Sequence, residues 1–273
     1  ATVDSNNSPA VFVSVPGRWN DFSREWIDAV LNSGYVDGVC FDAGKVFVDQ
    51  FKLAEYVKKA DSKKGVIAGN VSTSGEIRNM AKYLTFIDAL RIGKGPGDAC
   101  DTNSYIGIGR QQGYAVYDCA SEPLVKENKV KIIADGVIKT PGDAVKALAA
   151  GATMVMLGGM LAGTDEAPGG TRYRGMASTE AQEENYGSVA EWRTDEGIAI
   201  DVDRKGPVEG VIKDVIGGIR SGLSYTGARN IKELQRKAQF IEVTKAVVEE
   251  NKPHGESSRY RRGNRALQAP GKP

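Results

Sequence analysis

Six short apolar runs alternate with helix-like stretches as far as residue 159, and this alternation restricts the fold more than any other feature of the chain. The runs lie at 11–15, 38–42, 65–70, 89–93, 130–136 and 153–159, and the helical patterns lie at 23–33, 47–60, 75–83 and 141–150. Such repetition predicts an α/β fold of parallel strands joined by right-handed crossovers. Nearly every run ends in Gly, Asp, Asn or Cys, and a (β/α) barrel places its active site at these carboxyl ends.

Composition excludes several classes of protein. The 273 residues carry a net charge of +1, with 26% charged and 41% hydrophobic residues, so we expect neither nucleic acid nor a membrane surface as a partner. We expect no secretory leader, and no run of about 18 apolar residues is present in these residues. Cys40, Cys100 and Cys119 are odd in number and irregularly spaced, which argues against disulfides and zinc and predicts a reducing, cytoplasmic location. The single histidine, His254, lies in a polar tail, so we expect no imidazole chemistry.

The stretch RIGKGPGDACDT at 91–102 leads from a predicted strand into a loop rich in glycine. Glycine permits positive φ angles and close backbone approach, so such a loop can wrap a ligand or present a side chain. The loop carries Cys100, and Thr102 follows two residues later. A thiol beside a hydroxyl is a candidate nucleophile with a proton donor, and a turn with a packed cysteine is the alternative.

A series of motifs extends this loop into a family resemblance that covers most of the chain. The matching segments are IAGNV (67–71), GPG (95–97) before Cys100, GIG (107–109), IADG (133–136), PGDAVKA (141–147), MLGGMLAG (156–163), YRGMAS (173–178) and GGIRS (217–221). In this order and spacing, the sequence resembles the inosine-5′-monophosphate dehydrogenase and guanosine-5′-monophosphate reductase family of TIM barrels. The resemblance implies a (β/α)8 barrel with a catalytic flap.

The segment AEWRTDEG at 190–197 resembles the flap of the reductase branch, and KGPVE at 205–209 also fits that branch. The dehydrogenase flap carries an Arg–Tyr pair that activates water; Arg172–Tyr173 is such a pair, but it lies in the upstream loop matched to substrate binding. KAQF at 237–240 and Pro253–His254 resemble the dehydrogenases. We therefore expect a reductase, with IMP dehydrogenase (IMP to XMP with NAD) as the alternative.

The resemblance to the reductases implies NADPH-dependent reductive deamination of GMP to IMP and ammonia. Cys100 would attack the purine C2 and form a covalent thioimidate, which hydride from NADPH resolves. Thr102 and Glu196 would form the proton-transfer pair that helps ammonia to leave. A carboxylate solvated on a mobile flap is the alternative interpretation of Glu196.

The same resemblance assigns the binding residues. Asp135 would bind the ribose hydroxyls, the backbone of Gly158 and Gly159 would hold the phosphate with the Tyr173 hydroxyl, and Met176 and Ala177 would contact the base. The full predicted substrate-binding set is Asp135, Gly136, Gly158, Gly159, Tyr173, Arg174, Met176, Ala177 and Ser178. Asp42 and Asn70 would face the nicotinamide, and backbone carbonyls of Gly95, Gly97 and Cys100 are candidate ligands of a monovalent cation such as K⁺.

Three residues depart from the family pattern near the substrate. Asp98 stands where the family usually has a serine that donates to the phosphate, Val137 where a glycine usually follows Asp-Gly, and Asn103 where an arginine usually follows Thr102. A carboxylate at 98 would repel a phosphate unless a cation intervenes. These departures favour a second alternative, a non-catalytic paralogue with a role in assembly or nucleotide sensing.

Six strands are fewer than the eight of a closed barrel, and the resemblance identifies them as about strands 3–8. We expect residues 1–250 to form this incomplete barrel, with a flap at about 163–210, and 251–273 to be a flexible basic tail. Further helical patterns lie at 211–221 and 231–240. An open sheet exposes two edges, so we expect a companion polypeptide to pack between the strands near Val11 and Met156. Completed barrels would form a tetramer, as the resemblance implies.

Overall fold

A six-stranded parallel sheet organises the protein. The computed structural model describes residues 9–189 and 194–244; the predicted tail at 251–273 and residues 190–193 of the flap motif lie outside them. Within the described part the strands pair in chain order. They are β1 (Phe12–Pro16), β2 (Gly38–Asp42), β3 (Gly65–Val71), β4 (Ala89–Ile92), β5 (Lys131–Asp135) and β6 (Met154–Met156). All five pairings are parallel, and together the strands form the half-barrel that the alternating pattern predicted.

Helices follow the strands. They are α1 (Asp21–Asn32), α2 (Val48–Ala60), α3 (Ser74–Asn79), α4 (Thr102–Ile106), α5 (Gln112–Ser121), α6 (Pro123–Glu127), α7 (Pro141–Ala149), α8 (Thr179–Tyr186), α9 (Val208–Tyr225) and α10 (Ile231–Lys237). Several begin at a side-chain cap, which satisfies backbone N–H groups of the first turn. Reciprocal capping boxes join Thr73 to Glu76 at α3 and Thr140 to Asp143 at α7. These capping boxes begin α3 and α7 directly after the loops that follow β3 and β5.

Alternate residues of the strands face two separate apolar clusters, as strand geometry requires. The larger cluster, on the helix side, contains residues such as Val39, Ala68 and Leu90. The smaller cluster, on the inner face of the half-barrel, joins Ile67, Ala89 and Ile133 with the partly buried Cys40 and Met156. The inner face therefore carries a thin apolar layer directly below the carboxyl ends of the strands.

Three parts of the chain differ from the sequence-based expectation. The segment at 163–210 is more regular than expected: it contains β7 (Arg172–Arg174), antiparallel to β8 (Ala199–Asp201), the helix α8, and the start of α9. The short helices α4, α5 and α6 were not predicted. The helical pattern expected at 75–83 divides into α3 and a 3-10 turn at Ala81–Phe86. Expected strand and helix ends elsewhere shift by a few residues.

The edge strands of the half-barrel each pair with one neighbour in the described ranges. Phe12 on β1 and Met154 on β6 are correspondingly 38% and 44% exposed. Pairing of these edges with further strands, from a companion polypeptide or otherwise, stays a prediction, as does the tetramer. Among the described helices, none is long and apolar enough to cross a bilayer.

Candidate active site

The loop after β4 presents Cys100. Gly95 has a φ of +78°, and a Cβ atom at this position would collide with the side chain of Asn103, so the turn requires glycine on two grounds. The Cys100 N–H donates to the Gly97 carbonyl at 3.1 Å, which closes the loop just before the thiol. Cys100 is partly exposed at the carboxyl end of the sheet. The glycine-rich run thus folds as a loop that leaves Cys100 partly exposed, the first of the two alternatives that its composition left open.

A distant segment pairs with this loop and brings Glu196 to it. The Asp101 N–H donates to the Glu196 carbonyl at 2.7 Å, and the Ile198 N–H donates to the Ala99 carbonyl at 3.1 Å. Cys100 and Gly197 form the antiparallel bridge between these bonds. These bonds hold the backbone of Glu196 beside the loop, which brings its side chain to Thr102.

Three predicted side chains meet as a result. The Thr102 hydroxyl lies 3.1 Å from Cys100 Sγ and donates to Glu196 Oε2 at 3.0 Å. Thr102 is the first residue of α4, so the helix start fixes its backbone next to the loop. Two successive contacts thus connect the thiol, the hydroxyl and the carboxylate. This arrangement can move a proton near a group bound to the sulfur.

The other two thiols are in different surroundings. Burial, together with Asp118, raises the pKa of Cys119 to about 12, and this residue is fully buried. Burial also raises the pKa of Cys40, although Arg91 opposes the shift. Both therefore stay protonated at neutral pH, which makes them poor nucleophiles.

Arg91 is the centre of a polar cluster that also contains Asp135, Asp42 and Asn70. Arg91 Nε and Nη2 lie 3.1 and 2.8 Å from Asp135 Oδ2, and Arg91 Nη1 lies 3.1 Å from Asp42 Oδ1. Asn70 Nδ2 donates to the same Asp135 oxygen at 2.8 Å. Burial alone would lower the pKa of Arg91, but Asp135, then Cys40 and Asp42, raise it above its ordinary value. Arg91 thus orients Asp135, which was predicted to bind the ribose hydroxyls. The sequence analysis did not identify Arg91, although a basic residue on a buried strand was a visible signal.

The loop after β6 carries Gly158 and Gly159, and the hydroxyl of Tyr173, on β7, lies beside Gly158. A Cβ atom at Gly158 would be 3.3 Å from the Tyr173 hydroxyl, and one at Gly159 would collide with Asp98 Oδ2. Burial, followed by the charges of Asp98, Asp135 and Cys100, raises the pKa of Tyr173. Tyr173 therefore lies close enough to Asp135 and Cys100, the predicted ribose-binding and nucleophilic residues, for their charges to affect its hydroxyl.

Two lysines that sequence reasoning did not single out lie at this end. Lys205 Nζ donates to the carbonyls of Gly159 at 2.9 Å and Met160 at 3.1 Å. Burial lowers the pKa of Lys205, and Asp98 opposes that shift. Lys139 Nζ lies 2.9 Å from Asp98 Oδ1. A cleft of about 790 Å³ adjoins this end; its lining includes Gly158 and Tyr173 but not Cys100.

The remaining predicted residues lie on the flap. Arg174 forms ion pairs with Glu180, at 3.3 Å, and with Glu184. Ser178 is 2% exposed, and its hydroxyl accepts from the Ala181 N–H as the cap of α8. Met176 is 66% exposed, and the Ala177 carbonyl accepts from the Glu196 N–H at 3.3 Å. The roles of these residues toward a ligand stay predictions.

Comparison with known proteins decides the family. A model of the IMP dehydrogenase / GMP reductase domain matches residues 3–254. The chain belongs to this family. It is 36% identical to the inosine-5′-monophosphate dehydrogenase of Chlorobaculum parvum over 274 residues, which cover 93% of this chain and 54% of the relative. It is 39% identical to GMP reductase 2 of Bos taurus over 234 residues, which cover 82% of this chain and 66% of the relative.

A solved structure agrees with this family assignment. A cysteine-to-alanine variant of GMP reductase from Trypanosoma brucei, in complex with guanosine 5′-monophosphate, matches with a TM-score of 0.83 and 32% identity. The match covers 94% of this chain and 55% of that one. The chain thus spans between about half and two thirds of the length of these relatives.

The structure shows the local environment of two residues that depart from the family pattern, Asn103 and Val137. Asn103, which replaces the usual arginine, donates to the Gly95 carbonyl at 3.1 Å and so supports the loop. The Gly97 carbonyl accepts from Cys100 N–H, so two of the three candidate cation ligands already accept hydrogen bonds. Val137 has a φ of 57°, a conformation that the family's usual glycine adopts at less cost.

Proposed function

We propose that this chain carries the reactive centre of a GMP reductase-like oxidoreductase, which removes the 2-amino group of a guanine nucleotide with NADPH and yields the inosine nucleotide and ammonia. The observation that carries this proposal is the pair of contacts that Thr102 makes. Its Oγ1 atom lies 3.1 Å from Cys100 Sγ and 3.0 Å from Glu196 Oε2. A nucleophile beside a hydroxyl and a carboxylate is suited to expelling an amine, because the amine must be protonated as it leaves.

Each of the three side chains has one role in the proposed sequence. Cys100 attacks C2 as the thiolate, and a C–S bond forms as the bond from C2 to the amino nitrogen breaks. The proton that the Cys100 thiol loses passes through Thr102 to Glu196, and it returns from Glu196 through Thr102 to that nitrogen. The amine departs as ammonia, and the ring remains on the sulfur as a thioimidate. NADPH, when bound, supplies the hydride that replaces sulfur at C2.

The residues around Asn70 fit a nicotinamide. Asn70 Oδ1 is buried, and none of the residues in the described ranges donates a hydrogen bond to it. Its amide nitrogen donates to the Gly93 carbonyl at 2.8 Å and to Asp135, which fixes the oxygen as an acceptor. A carboxamide N–H is the kind of donor that such a buried acceptor requires. Asn70 and Asp42 would therefore lie on the cofactor side, with Asp135 on the ribose.

The dehydrogenase alternative requires a base that activates water. Arg172 in the candidate Arg–Tyr pair forms ion pairs with Glu180 at 2.7 Å and Asp201 at 3.2 Å, and the Tyr173 hydroxyl lies beside the Gly158 position. This engagement of both side chains with the flap and the β6 loop supports the reductase over the dehydrogenase.

Two assays of the purified protein test the proposal. With GMP and NADPH, we expect ammonia release and an equal amount of NADPH consumed. Turnover of IMP with NAD⁺ in place of this reaction would assign the chain to the dehydrogenase branch. Absence of both reactions, with no labelling of Cys100 by a thiol-directed purine analogue, would favour the non-catalytic paralogue.

A further inference from the structure

The loops after β5 and β6 form one end of the candidate site. In (β/α) barrels, the loops after the last two strands frequently bind the phosphate of a ligand. These loops carry Gly136 after Asp135 and the pair Gly158–Gly159 after Met156. With the purine at Cys100 and the ribose at Asp135, the 5′ end of the substrate reaches this end. The inference about its substituent rests on the proposed function.

A carboxylate stands at that end. Asp98 Oδ2 lies against the backbone of Gly159, where even a Cβ atom would collide with it. The side chain of Asp98 is only 23% exposed. Its charge is the second cause, after burial, of the raised pKa of Tyr173. Asp98 therefore lies beside Gly159 and near Tyr173, two of the three residues that were predicted to hold a phosphate.

One oxygen of this carboxylate lacks a donor. Asp98 Oδ1 is buried, and nothing in the described part of the chain donates a hydrogen bond to it. Lys139 Nζ lies 2.9 Å away as an ion pair, without the geometry of a hydrogen bond. Lys139 balances the charge of Oδ1, and a ligand hydroxyl would add the directed hydrogen bond that this oxygen lacks.

The two lysines at this end are already engaged with protein oxygens. The Lys205 ammonium already donates to the carbonyls of Gly159 and Met160, and burial lowers its pKa. Lys139 is 62% exposed and pairs with Asp98 itself. A phosphate dianion would meet the Asp98 carboxylate at short range, where like charges repel most strongly. A neutral hydroxyl meets no such repulsion.

We propose that Asp98 selects substrates with a free 5′-hydroxyl, so that the chain acts on a purine nucleoside in preference to the nucleoside 5′-monophosphate. The 5′-hydroxyl donates to Asp98 Oδ1, and Lys139 balances the carboxylate charge. The reaction at C2 is the same as in the proposed function, with guanosine converted to inosine and ammonia.

Steady-state kinetics with guanosine and with GMP, each with NADPH, test this selection. We expect kcat/KM for guanosine to exceed that for GMP by at least tenfold. Asp98→Asn removes the charge at constant size, and Asp98→Ser restores the hydroxyl donor usual in the family. Both should raise the ratio of GMP to guanosine kcat/KM by at least thirtyfold. Asp214→Ser removes one exposed carboxylate from α9 and should leave the ratio unchanged.

Binding separates this inference from the proposed function. A Cys100→Ala variant cannot form the thioimidate, so its melting temperature with each ligand reports on recognition alone. A larger shift with guanosine than with GMP supports the role of Asp98, even if neither compound is turned over and the proposed reaction fails. Preference for GMP in the unaltered protein, or an unchanged ratio in both Asp98 variants, would overturn the inference and leave the proposed reaction intact.

Discussion

Thr102 donates its hydroxyl hydrogen to Glu196 across 3.0 Å, although 94 positions separate the two residues in the chain. Backbone pairing between the β4 loop and the flap produces this contact. It makes the hydroxyl beside Cys100 part of a relay, and not an isolated polar group.

Removing either member of this relay should slow the loss of the amine. Thr102→Val keeps the shape of the side chain, and Glu196→Gln keeps the size. We expect each to lower kcat by roughly 100-fold, since a positioned proton donor typically contributes about 10²–10⁴-fold. The double variant should lose little more than either single variant, because the two groups act as one unit. Additive losses would contradict the relay.

Arg91 should control how Asp135 binds a ligand. Its two nitrogen contacts to Asp135 Oδ2 leave Oδ1 for the ribose. Arg91→Lys keeps the charge but not the paired geometry, so we expect KM to rise about tenfold, the scale of one lost hydrogen bond to a charged group, with kcat little changed. Lys59→Gln, which removes an exposed positive charge that is 72% accessible, is the matched control.

Arg91→Met leaves Asp135 and Asp42 without their shared counter-charge. Breaking a buried ion pair from one side costs about 3–5 kcal/mol, so we expect the free energy of unfolding to fall by an amount near the lower limit, since Asp42 is 40% exposed. Denaturant unfolding measures this. A change as small as that of the Lys59→Gln control would show that the arginine does not stabilise the cluster.

Alkylation should distinguish the three cysteines. The pKa of Cys119 is raised to about 12, and that of Cys40 is also raised, both chiefly by burial. A raised thiol pKa leaves less thiolate at a given pH, so iodoacetamide at pH 8 should modify Cys100 first. Peptide mass spectrometry over time gives the order. Earlier modification of Cys119 would contradict the described burial.

Val137 should be a site of stored strain. It is β-branched and has a φ of 57°, a conformation that costs an L-residue roughly 1–2 kcal/mol. We expect Val137→Gly to stabilise the protein by about 1 kcal/mol after the entropy that glycine loses on folding. Lys129, which has a φ of 58° without β-branching, provides the comparison: Lys129→Gly should gain less. An equal gain at both positions would show that branching is not the cause.

The sequence was sufficient to predict the parallel sheet, because the strands are apolar runs that end in polar residues. It also predicted Cys100, Thr102 and Glu196 as a set, through the family resemblance. The helices α4, α5 and α6 were missed because they are short or weakly amphipathic, and tertiary packing, more than periodicity, defines them. The antiparallel pairing of β7 with β8 was missed because each strand has three residues, too few for an alternating pattern.

The interactions of Asp98 and Arg91 could not be predicted from sequence motifs. Lys139 lies 41 residues after Asp98, and Lys205 lies further still along the chain, so only the folded sheet brings them together. Asp135 was predicted to bind a ligand, but its orientation depends on a side chain from the neighbouring strand β4. Long-range polar pairs of this kind leave no periodic signal in the sequence.

Dependence of turnover on Cys100 tests the central claim most directly. The unaltered protein and Cys100→Ser are each incubated with NADPH and with guanosine or GMP, and ammonia and NADPH oxidation are measured in the same sample. We expect equal amounts of ammonia released and NADPH oxidised with at least one of the two substrates, and a loss of at least about 1,000-fold in Cys100→Ser, since removal of a nucleophile eliminates the covalent route. Unchanged turnover in Cys100→Ser would contradict the thioimidate mechanism.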